Sequence, residues 1–216
     1  MIRFILMSMV LMVAGCSSLL SSEAPPVQVY VLRAAANSST SSATSNEAPS
    51  GQTLPTVQVL RPQADPGLAT ELITLVRSDH RLDRYAGSSW AGTLSDVVEA
   101  LSIDTLRASG NWAAVHDAPS PFSSDYLLQI NIRRFEADYT GSGDAPTVHV
   151  TLDCTVARRL GRELLTNFVS EGVADAEANR MSEVVAAFEK AANLALATMA
   201  ERSAAAVRTS TTPSTP

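Results

Sequence analysis

Thr147-Val148-His149-Val150-Thr151-Leu152-Asp153-Cys154-Thr155-Val156-Ala157-Arg158 is the stretch from which the architecture follows. Val148, Val150, Leu152, Cys154 and Val156 fall on one side of an extended chain, and His149, Thr151, Asp153 and Thr155 on the other. That period of two is the signature of a half-buried antiparallel strand. Tyr126 to Glu136 upstream has the same character and is joined to it through Gly141, Gly143 and Pro146. Downstream, Gly161 turns the chain into Leu164 to Val173. Three extended segments in succession, separated by glycine and proline punctuation, predict an antiparallel meander.

Helical spacing flanks the meander. Thr93-Leu94-Ser95-Asp96 resembles a capping box with Asp at the third position, and Leu94, Val97, Val98, Leu101 and Thr105 then share one face as far as Ser109-Gly110. From about Asn179 to Ala206 a second helix is predicted, with Val184, Val185, Phe188, Ala192, Ala195 and Met199 turned inward. Shorter strands are expected at Val27 to Arg33, Val57 to Leu60, Leu72 to Val76, Arg81 to Tyr85 and Trp112 to His116. The predicted class is α+β, a mostly antiparallel sheet with two main helices packed on it.

The amino terminus carries an address. Arg3 precedes an apolar run from Phe4 to Val13, and Val13-Ala14-Gly15-Cys16 closes it with small residues and a cysteine. The order is that of a secretory signal, and the run is too short for the roughly 20 residues that span a bilayer. The tetrapeptide resembles a bacterial lipobox, which implies cleavage before Cys16 and acylation of that residue. Residues 1–15 then form the signal peptide and 16–26 a Ser-rich tether ending in Pro25-Pro26. Ten residues reach at most about 35 Å, so the domain that follows stays close to the bilayer. Ser17, next to the acylated position, resembles the form exported to the outer membrane, where Asp marks retention in the inner one. The expected location is the periplasmic face of the outer membrane.

The domain itself is expected over 27–206. Residues 37–53 are Ser, Thr, Asn, Pro and Gly with little to bury, and read as a disordered insert; 207–216 read as a disordered tail. With 45% hydrophobic, 18% charged and 5% aromatic residues the chain has the composition of an ordinary globular protein. The formal charge is −6, and of 16 basic residues only Lys190 is lysine. The arginines read as scattered, which gives no electrostatic footprint for nucleic acid and little attraction for anionic headgroups. With Cys16 acylated, Cys154 has no partner for an intramolecular disulfide and reads as a small apolar core residue.

The chemistry-bearing residues form no recognisable catalytic pattern. His80, His116 and His149 lack metal-ligand spacing, so no metal or other cofactor is expected. No phosphate loop and no nucleophile elbow occurs. Asp79, His80, Asp83 and Arg84 read as a polar strand edge. Trp90 reads as a packing residue at the start of the first helix or as an interface anchor.

Tyr30-Val31-Leu32 behind the anchor, Ser89-Trp90-Ala91-Gly92-Thr93-Leu94 opening a helix, Arg134-Phe135-Glu136 ending a strand, and Ala186-Ala187-Phe188 in the last helix together resemble the ABC-type transport auxiliary lipoprotein family. Ser89 stands where that family often has Arg. The resemblance implies a non-enzymatic periplasmic domain accompanying an ABC permease and ATPase, with an MCE-type periplasmic substrate-binding protein as partner and phospholipid as the transported class. It makes Trp90, Leu94, Phe135 and Phe188 candidate structural or interface positions. A lipid carrier holding phospholipid itself, and an enzyme with a site not visible in spacing, are the other classes, and the oligomeric state is open.

Replacing Cys16 with Ser is expected to abolish acylation and leave an uncleaved precursor or a soluble periplasmic form. Labelling with radioactive palmitate, followed by fractionation, checks this; a variant still acylated and membrane-bound would refute the lipobox reading.

Overall fold

The computed structural model describes residues 26–35 and 53–211. The expected signal peptide, Cys16, Ser17, nearly all of the expected insert and the last residues of the tail lie outside that range. The elements, in chain order, are β1 (Gln28–Tyr30), β2 (Thr56–Val59), β3 (Gln63–Ala64), β4 (Leu72–Val76), β5 (Leu82–Trp90), α1 (Leu94–Ala108), β6 (Ala114–His116), β7 (Tyr126–Asp138), β8 (Thr147–Arg158), β9 (Leu164–Asp175) and α2 (Met181–Thr211).

The predicted meander is present. β7 and β8 pair antiparallel from Tyr126↔Arg158 to Asp138↔Thr147, and β8 pairs antiparallel with β9 along its length. Val148, Val150, Leu152, Cys154 and Val156 are all buried, as the alternation requires, while their polar neighbours are half-buried on the other face.

The sheet as a whole is mixed, which corrects the expectation of a mostly antiparallel one. The free edge of β7 is shared by three short strands that follow one another along it. β2 pairs with its beginning (Val57↔Tyr126), β3 with its middle (Gln63↔Asn131) and β4 with its end (Leu75↔Ala137), all parallel. The cause is local. Pro62 lacks the N–H that a continuous ladder needs, and Pro66-Gly67 loops the chain out before it rejoins β7 at Leu75. β6 adds to β2 in parallel after the crossover through α1, and β1 adds in parallel to β5.

Three further boundaries differ from the sequence reading. β5 does not stop at Tyr85. It continues through Gly87, whose φ of +67° suits glycine, to Trp90, because Ser88, Ser89 and Trp90 pair with β1. Within Val27 to Arg33 only Gln28–Tyr30 is paired; the valines face out and Leu32 faces in. α2 runs to Thr211, past the expected end at Ala206, and buries Ala204 and Val207 there.

α1 starts where the capping pattern places it. The Asp96 N–H donates to Thr93 Oγ1 at 3.4 Å, and the Thr93 hydroxyl donates to Asp96 Oδ2 at 2.6 Å. Leu94, Val98, Leu101 and Leu106 are buried, with Val97 and Thr105 at the margin of the same face. α2 packs along β9 and β8 and touches α1. Its contact side is built largely of alanine: Ala187, Ala191, Ala192 and Ala195 are all buried. Small side chains let the helix axis come close to the sheet, and Gly172 of β9 is where the two backbones meet. A Cβ on Gly172 would lie 1.9 Å from the Ala191 carbonyl oxygen and 2.9 Å from the Ala195 nitrogen. Beside it, the Ser170 hydroxyl donates to the Ala195 carbonyl at 2.5 Å, satisfying a hydroxyl that is wholly buried. α2 also fixes the segment after β1: the Arg33 N–H donates to Glu189 Oε2 at 2.9 Å, and the Ala35 N–H to Asn193 Oδ1 at 2.8 Å.

Gly172→Ala must push a helix backbone off the sheet, so it is expected to cost about 3 kcal/mol or more, at the upper end of overpacking effects. Val173→Ala, one residue away on the exposed face, is expected to change stability by less than about 0.5 kcal/mol. Urea unfolding of the two variants checks the contrast.

Candidate functional site

Three of the four positions singled out for packing or interface form one aromatic cluster, and the fourth adjoins it. Trp90 ends β5, Phe135 lies in β7 and Phe188 in α2. The Trp90 ring stands edge-on to Phe135 (centroids 6.0 Å apart) and to Phe188 (5.2 Å), while Phe135 and Phe188 stack at 5.3 Å. Leu94 opens α1 four residues after Trp90 and is buried in the same core. The turn between them is held by backbone bonds from Trp90 N–H to Glu71 O at 2.7 Å and from Leu94 N–H to Thr70 O at 3.0 Å. All four are buried and offer no surface to a partner. Ser89 is buried too, so an arginine at that position has no room without rearrangement.

The polar residues weighed for chemistry are dispersed. Asp79 pairs with Arg81 and Asp83 with Arg77, both at 2.5 Å on the surface, in the turn between β4 and β5. The backbone bond from Arg84 and the Arg77 guanidinium hold the Asp83 carboxyl below its usual range. His80 occupies a positive-φ turn position, His116 lies against Phe122, and His149 sits on the outer sheet face. No group of His, Cys, Asp and Glu among the described residues is placed to hold a metal ion. No described helix is long and apolar enough to cross a membrane.

The feature that sequence reasoning missed lies at one end of the sheet, where β2 and β7 begin, β8 ends and α2 finishes. A groove of about 1250 Å³ opens there. Leu54, Pro55, Trp112, Tyr126, Leu160 and Val207 supply its apolar walls, and Arg158, Arg159, Arg208 and Asp125 its charged groups. Three of the arginines read as scattered, Arg158, Arg159 and Arg208, therefore meet in space at this place. Arg158 to Arg162 form a tight turn between β8 and β9, which carries two arginines and Leu160 on the same rim. Asp125 is occupied by Thr56, whose N–H and hydroxyl both donate to Oδ2 at 2.8 Å. The Arg-Arg-Leu-Gly-Arg run was visible in the sequence, but its convergence with Trp112 and Val207 depends on the crossover and on the added length of α2.

Two helices packed on a mixed nine-stranded sheet define an α+β domain. The sequence profile of the ABC-type transport auxiliary lipoprotein component matches residues 30–200, and the chain belongs to that family. No curated protein matches the sequence. Among solved structures, a Xanthomonas campestris protein of the DUF330 family is 21% identical, with a TM-score of 0.72 over 85% of this chain and 98% of that one. An uncharacterised protein is 14% identical, with a TM-score of 0.62 over 82% and 98%. Both show the fold alone.

Cys154 is a free cysteine in the centre of β8, and burial pushes its thiol up to about 12, with Asp153 adding to the shift. It is expected to resist alkylation at pH 8 and to react on unfolding. Because its folded pKa lies above the ordinary thiol value, its contribution to stability is intact below about pH 9 and is lost as pH rises from there towards 12. Alkylation followed by mass spectrometry, with and without urea, reads this directly.

Proposed function

We propose that this protein is the anchored, non-catalytic docking subunit of an ABC transport system, and that it holds an MCE-type periplasmic subunit at the periplasmic face of the outer membrane. The observation that carries the reading is family membership over residues 30–200 behind a lipidation signal at Cys16. The short tether supports it: a domain that cannot leave its membrane by more than about 35 Å suits a fixed docking point better than a shuttle. Phospholipid is then the transported class, with the permease and ATPase supplied by other chains.

The outer sheet face is the candidate partner surface. Val169 and Val173 stand exposed on β9, and Val27, Val29 and Val31 on or beside β1, whereas the aromatic cluster is enclosed. Photo-crosslinkers placed at Val173 and Val29 in intact cells are expected to capture an MCE-type protein, identified by mass spectrometry. Ser17→Asp is expected to move the protein to inner-membrane fractions in a sucrose gradient and to reduce that crosslink. Absence of such a partner from both positions, or unchanged fractionation, would count against docking at the outer membrane.

A further inference from the structure

We propose that the groove at the β7-start end binds a single amphiphile, its acyl chain along Trp112, Val207 and Leu160 and its phosphate on Arg158 and Arg159. The inference is independent of the docking reading and concerns a different surface.

Charge complementarity selects the ligand. The chain is acidic overall at −6, yet two adjacent guanidiniums stand at the rim of this groove. Arg159 meets no carboxylate among the described residues. One terminal nitrogen donates to Gln58 Oε1 at 2.7 Å, and its backbone N–H donates to Asp125 O at 2.9 Å, so the side chain is oriented without being neutralised. Arg158 is engaged by Glu163 through Nε at 3.1 Å and lies over the Tyr126 ring with Cζ 5.8 Å from its centroid, which leaves its terminal nitrogens without a bond among the described residues. A planar fork with open donors matches phosphate geometry. A second cavity, beside Arg77 and Arg81, makes the comparison. There each arginine is paired with an aspartate at 2.5 Å, as Arg158 is with Glu163 at 3.1 Å, so the contrast rests on Arg159.

The walls select an apolar tail rather than free phosphate. Leu160 is 87% exposed and Leu54 49% exposed, both on the groove, so apolar surface stands in water where an acyl chain would cover it. Beneath them the groove keeps two donors with nothing to bond among the described residues. Trp112 is 8% exposed and Ser124 6%, and neither Trp112 Nε1 nor Ser124 Oγ has a hydrogen-bond partner among those residues. Buried polar atoms are seldom left so, and groups at the site of a missing oxygen-rich ligand are one cause. Apolar walls, open cations at the rim and orphaned donors below describe an ester-bearing, phosphate-headed lipid.

The test uses the full-length lipidated chain in cells grown with radioactive phosphate. A photo-crosslinking phenylalanine analogue is placed at Leu160 or Leu54, and at Asp144 in the β7–β8 turn as a control at the opposite end. After irradiation the protein is run on a denaturing gel. The thioether anchor carries no phosphate and inorganic phosphate does not survive the gel, so retained label reports a phosphate-headed lipid. Label is expected at Leu160 and Leu54 and not at Asp144. Arg159→Glu is expected to reduce it about tenfold, the loss of one charged hydrogen bond. Arg159→Gln, a milder change kept in case the first variant misfolds, is expected to reduce it as well, at unchanged protein level and protease resistance. No label at the groove positions, equal label at Asp144, insensitivity to Arg159, or a crosslink to protein in place of label would each overturn the proposal. None of these results bears on crosslinking from the outer sheet face.

Discussion

Backbone meets backbone where Gly172 lies under Ala191 and Ala195, and the placement of the other elements depends on that approach. With the last helix this close, Ser170 can bond to the Ala195 carbonyl and Phe188 can reach Phe135. Close contact of this kind arises from the absence of atoms rather than their presence: one hydrogen in place of a methyl group, and a run of alanines in place of leucines. Dispersion falls off steeply with separation, so lifting the helix by even part of an ångström would thin the contacts along the whole sheet. The low aromatic content of the chain fits this design. Few large residues are needed when the layers are so near, and three of those present are concentrated at the single point where β5, β7 and α2 converge.

The periodic parts of the fold were legible. The alternation of β8 gave its buried face residue by residue, and Thr93 with Asp96 marked the start of the first helix. What could not be read was pairing direction. β2, β3 and β4 are too short for periodicity to show parallel or antiparallel partners, and their arrangement is set by which edge of β7 is free once β8 has taken the other. Trp90 was ambiguous for a related reason: Gly87-Ser88-Ser89 has loop composition, yet β1 recruits it into a ladder. The end of the second helix was misplaced because Ala-rich turns lead into Thr-rich sequence without a glycine stop, and burial of Val207 carries the helix onward.

The groove was illegible for a different reason. Its residues come from Leu54, Trp112, Tyr126, the Arg158 turn and the end of α2, stretches that share neither spacing nor composition. A scatter of arginines along a sequence says little about their distribution in space. Net charge, which argued against anionic ligands, averages over a surface on which one end differs from the rest.

The order of strands along β7 has a consequence for biogenesis. β4 can pair with β5, and β2 with β6, as soon as those strands are made, but neither pair joins the meander until Tyr126–Asp138 has been made, and the segment after β1 is not clamped until Glu189 and Asn193 arrive. The hairpins of the meander are local, but β2 and β4 on β7 and the segment after β1 on α2 close long loops, and such pairings form slowly. Export of the kind that the first residues suggest would require the chain to cross a membrane before it becomes compact. Closure by the carboxy-terminal helix would suit such a passage, because the segment after β1 stays unclamped until Glu189 and Asn193 have been made.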